Sequence, residues 1–175
     1  MLERPPPKAL DRAPGEALRL FVSYAPQVQW WYRTLRCWLL PLEQQGLLSI
    51  YGADEAGLAG DSINAPIGER DRAEIQRADL YLMLLSMDLI AHHGFTPFLA
   101  QARGRAESGE ARCLMLILRP ILSGVVSCAE EDHLLPPDRA LSEWPDQDQA
   151  FKAVTEALRR VILSRSAGAF TPMGS

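Results

Sequence analysis

Four short runs of almost uninterrupted apolar residues, LRLFVSY at 18–24, LLSIY at 47–51, LYLMLLS at 80–86 and CLMLIL at 113–118, constrain this chain more than any other feature. A strand with one wet face alternates apolar and polar side chains, so a run that is apolar throughout predicts a strand covered on both faces. Between the runs the period changes. Trp31, Leu35, Trp38, Leu39 and Leu42 recur at helical spacing after the first run, and Ile67, Ile75 and Ala78 share one side of the segment that precedes the third. Thr96 followed by Pro97 predicts a helix start that carries the chain to about Ser108, ahead of Gly109. Asp146 with Gln149 reads as a capping box, and Ala150, Phe151, Val154, Ala157, Leu158, Val161 and Ile162 form the cleanest helical stripe. A short edge strand is expected at 139–142. Strands alternating with helices predict an α/β fold, a central five-stranded parallel sheet with helices on both faces and a flavodoxin-like winding.

At 175 residues the chain has room for one domain with a real core. Prolines and charges near the start predict a flexible leader over 1–17, the domain spans 18–165, and 166–175 is a flexible tail or an appended end. The formal charge of −4 argues against DNA or RNA as partners, since phosphate backbones demand clustered cations. No apolar stretch approaches the roughly 20 residues that cross a bilayer, and the start lacks the apolar core of a signal peptide. Cys37, Cys113 and Cys128 form no CxxC pair and suit reduced thiols. A cytoplasmic protein with no membrane partner is expected. His92 and His93 are neighbours that point apart, which disfavours a shared metal. The loop at 52–64, with three glycines and three acids, is longer than a connection needs, and such loops often carry function. Within the WWY triplet, Trp31 belongs to the core stripe and Trp30 is the better pocket or interface residue.

Several segments, in order, resemble the bacterial type of the Toll/interleukin-1 receptor (TIR) domain family. Phe21-Val22-Ser23-Tyr24 is similar to its first-strand motif, Pro41-Leu42-Glu43 with Gly46-Leu47 to its approach to the second strand, and Ala78-Asp79 before LYLMLLS to its third strand. Ser86, Asp88, Leu89 and Ala91 continue that pattern, and Ser142-Glu143-Trp144 through Asp146, Asp148 and Ala150-Phe151 resembles the close before the last helix. The resemblance covers 18–163. It implies a TIR fold, homotypic association with other TIR domains in bacterial immunity or stress signalling, and a pocket for NAD as possible substrate or ligand, with no cofactor required. Ser23, Tyr24, Trp30, Gly60, Asp61 and Ser86 would line that pocket, and Glu55, Gly57, Leu58 and Asp61 in the long loop would make the interface.

Family members that cleave NAD place a glutamate on the helix after the third strand, about 12 residues past the serine that ends it, and here that count reaches Phe98. A phenyl ring supplies no charge to the cation that develops on the ribose. The resemblance therefore implies impaired cleavage, which Phe98→Glu would restore in an otherwise intact pocket. An NAD-cleaving enzyme with an atypical acid, or one active only after assembly, is the alternative. A receiver domain is disfavoured because Ser86 stands where its phosphorylated aspartate would end the third strand.

Overall fold

The computed structural model describes residues 16–52, 69–92, 94–127 and 129–168. Four strands, β1 (Leu18–Ser23), β2 (Leu48–Gly52), β3 (Leu80–Leu85) and β4 (Arg112–Ile117), form one parallel sheet in the order β2-β1-β3-β4. Every side chain of β3 is buried, as a central strand between two helical layers requires. The helices are α1 (Gln29–Gln44), α2 (Glu69–Arg77), α3 (Met87–Ala91), α4 (Phe95–Glu107) and α5 (Gln147–Gly168). Alternation sends Phe21, Tyr51 and Tyr81 to one face of the sheet, where α2 and α4 lie. The opposite face carries α1 and α5, joined where the Trp31 and Phe151 rings meet at 5.8 Å.

The fifth strand is absent among the described residues. Its position beside β4 is held by a single parallel bridge between Met115 and His133, where the Leu134 amide donates to the Met115 carbonyl at 2.8 Å. The expected edge strand at 139–142 is instead a 3-10 turn over Leu141–Glu143. Glu143 explains the difference: its carboxylate reaches back to accept from the Ala140 amide at 2.8 Å, a contact that closes a turn and that an extended chain could not make. At the other edge, the Glu43 carboxylate accepts from the Ile50 amide at 3.3 Å, covering a donor that an unpaired edge would expose.

Helix ends follow local chemistry. α1 runs through Pro41 and stops at Gly46, whose φ of 74° lets the Gly46 amide donate to the Glu43 carbonyl and the Leu47 amide to the Leu42 carbonyl. The Asp146 carboxylate accepts from the Asp148 and Gln149 amides at 3.0 and 3.3 Å, capping α5 as expected. α5 buries Ala150, Phe151, Val154, Ala157, Leu158 and Ile162 of the predicted stripe, and Val161 is partly covered. α4 starts earlier than predicted, with Gly94 rather than Thr96 at its N-cap. The buried face of α1 is also rotated from the expected one, since Val28, Tyr32, Leu35, Leu39 and Leu42 are buried while Trp31 and Trp38 are only partly covered. Among the described residues, no helix is long and apolar enough to cross a membrane.

Candidate functional site

The chain winds from β1 outward to β2 and then returns past β1 to β3 and β4, so the winding reverses between β1 and β3. In open α/β sheets a crevice forms outside the carboxyl ends of the strands at such a reversal, because the connecting helices depart to opposite faces. Ser23 ends β1 there, level with Met83 of β3, and Ser86 follows β3 on the same side.

All of these residues are well covered. Ser23 is 8% exposed and Ser86 1%, and the Ser86 hydroxyl accepts from the Leu89 amide at 3.3 Å as the cap of α3. That short helix, unforeseen from the sequence, exists because a serine directly follows the strand and satisfies the first free amides. Tyr24 is buried with its ring stacked on Tyr32 at 4.3 Å and an interplanar angle of 14°. The Tyr32 hydroxyl, which accepts from Arg36 at 3.2 Å, lies directly over Gly52, and a Cβ at residue 52 would overlap it. Gly52 is thus required by the close approach of a ring, at the carboxyl end of β2.

The structure brings together only part of the expected pocket. Ser23, Tyr24 and Ser86 gather at the switch point, Ser86 as a helix cap and Tyr24 as a packed ring. Trp30 is 59% exposed and stands apart from them, its ring neighbours being Trp31 at 5.0 Å and Phe151 at 6.4 Å on the α5 side. Gly60 and Asp61, with the interface candidates Glu55, Gly57 and Leu58, lie outside the described residues, as do His93 and Cys128. His92 accepts from the Gly94 amide through Nδ1 at 3.1 Å, a turn contact. Cys37 is exposed and Cys113 buried, and neither is part of a disulfide.

Phe98 is turned into the interior. It is 5% exposed, with ring centroids 5.4 Å from Phe21 and 5.9 Å from Tyr81, so its side chain fills the core beneath the sheet rather than the rim of the crevice. A carboxylate at 98 would stand between aromatic rings without a solvated partner. Rescue by Phe98→Glu, expected from the sequence, is therefore not what this packing supports. The only acid within α4 is Glu107, its last residue, at the end remote from the switch point. Asp88, exposed in the first turn of α3, is a carboxylate two residues beyond Ser86.

At the opposite, amino-terminal end of the strands lies a polar network whose partners sequence reasoning did not identify. Asp79, 3% exposed, accepts from the Arg19 amide at 2.7 Å and ties β3 to β1. Arg105 of α4 donates to the Ile75 and Ala78 carbonyls at 3.1 and 2.6 Å, to the Tyr81 hydroxyl at 2.8 Å, and pairs with Glu110 at 3.3 Å. Tyr81 in turn donates to the Ile75 carbonyl. Burial pushes the Tyr81 hydroxyl above its ordinary pKa of 10.0, against the opposing pull of Arg105. One guanidinium therefore holds the last carbonyls of α2, where a cation is also favoured by the helix dipole.

A similarity search places one relative beside this chain. A protein of Sinorhizobium fredii named "Uncharacterized protein y4lF" is 29% identical over 167 residues, covering 89% of this chain and 50% of its own length. The chain thus spans about half the length of that relative. No family model and no solved structure matches.

Proposed function

We propose that this chain is a TIR-like signalling module that acts by associating with other TIR domains, in bacterial defence or stress signalling, without efficient cleavage of NAD. The observation that carries the reading is that α4 offers no carboxylate at its switch-point end, its one acid being Glu107 at the far end; Phe98, packed in the core, does not occupy the crevice and lends the reading no support. Supporting it are the ordered motifs from Ser23-Tyr24 to Ala150-Phe151 and a parallel sheet whose order suits a flavodoxin-like winding. Assembly would use the loop after β2, with Glu55, Gly57, Leu58 and Asp61, and the exposed Trp30 offers apolar area for a further contact. Light scattering over a wide concentration range tests association. Mass should rise with concentration, and a monomer throughout would contradict self-association as the mode of action.

A second reading, an NAD-cleaving enzyme with an atypical acid, is favoured by one observation: Asp88 is exposed beside the switch point. On that reading Asp88→Asn would abolish nicotinamide release, and on the first reading there is no release to abolish.

A further inference from the structure

A cavity of about 160 Å³ opens between the end of α2 and the strands β1 and β2, lined by Arg19, Phe21, Ser49, Tyr51, Glu74 and Arg77. Its floor is set by register: Arg19 lies beside Ser49, and Phe21 beside Tyr51 with their rings stacked at 5.6 Å. Its wall is the last turn of α2, with Glu74 and Arg77. Among the described residues, neither the Arg19 nor the Arg77 guanidinium forms an ion pair with a carboxylate, whereas Arg105 pairs with Glu110.

We infer that this cavity is a binding site for a small anion, a phosphoryl or carboxylate group held between Arg19 and Arg77 with the Ser49 hydroxyl as an additional donor. The cavity wall presents two guanidiniums and one carboxylate, Glu74, while the neighbouring Asp79 carboxylate is buried and accepts from the Arg19 amide, so the groups that face the opening are mostly cationic. Guanidinium forks match the oxygens of either group, and both partners gain from the exchange of water for charge-assisted hydrogen bonds. The carboxyl end of a helix ordinarily repels anions. Here the Ile75 and Ala78 carbonyls already accept from Arg105, so that field is offset before a ligand arrives. Tyr51 adds a ring on which a planar group attached to the anion would rest.

The test titrates the full chain, labelled with nitrogen-15, with inorganic phosphate and separately with acetate, following the backbone amides of Arg19, Ser49, Tyr51 and Arg77. At least one ion should give saturable shifts confined to this group, and which one does so distinguishes a phosphoryl from a carboxylate ligand. Arg19→Ala with Arg77→Ala should weaken binding by about tenfold or more, while Glu74→Gln, which removes the opposing charge, should tighten it about threefold. All three side chains are partly or fully exposed, so the variants should keep the fold. Absence of saturable shifts with both ions, or binding by the double variant within about twofold of the parent, would overturn the assignment.

Discussion

Phe98 shows how one side chain can be read in two ways. Counted along the sequence it stands where the expected resemblance would put a glutamate, and in the fold it is a core ring between Phe21 and Tyr81. The two views predict different variants. Phe98→Ala should cost about 3–5 kcal/mol in a urea melt, the range for deleting a buried aromatic ring. Phe98→Glu should cost at least as much, because it adds an unpaired charge to the lost packing, and should give no gain in NAD cleavage. A stable Phe98→Glu protein would show that residue 98 reaches solvent. Tyr32, which the expected stripe of α1 left out, is buried together with Val28, Leu35, Leu39 and Leu42. A phenol packs like phenylalanine when its oxygen finds a partner, here Arg36.

Among the elements, α2 has its carboxyl end held by a side chain of another helix, Arg105 of α4. Its described residues bury Ile75 and the following Ala78, and its carboxyl end is held by Arg105 and Tyr81. Arg105→Met keeps the aliphatic reach and removes the donors, so amides near the end of α2 should exchange with solvent faster by the equivalent of about 1–3 kcal/mol, with β3 and α5 little changed. Uniform loss of protection would mean that α2 opens only with the whole domain. The regular elements were legible because burial imposes period: β3 is apolar on both faces, and α5 repeats its stripe over four turns. Less legible were the elements set by one local hydrogen bond. Ser86 creates α3 by capping it, and Glu143 turns an expected strand into a 3-10 turn, neither of which a hydrophobic pattern encodes. For the same reason the sequence named Ser23, Tyr24 and Ser86 near the switch point but not the Arg105 network, which joins residues up to 30 positions apart.

At the scale of the whole molecule, the buried Tyr81 links folding to alkaline pH. Its hydroxyl keeps its proton above the ordinary value of 10.0 in the folded state, so its contribution is complete below about pH 10 and is lost as pH rises toward the raised folded value. Stability measured from pH 8 to 11 should therefore fall more steeply for the parent than for Tyr81→Phe, and equal slopes would place the titration elsewhere. The fold otherwise reads as a parallel sheet with both edges guarded, one by Glu43 and the other by the Met115–His133 bridge, leaving helices and loops for contact with other chains. The proposed function assigns such contacts, and not NAD chemistry, to this domain. Nicotinamide release from NAD, followed with the full chain at concentrations where scattering detects assemblies, tests it most directly. The account predicts release indistinguishable from a protein-free control, and sustained turnover that Asp88→Asn abolishes would contradict it.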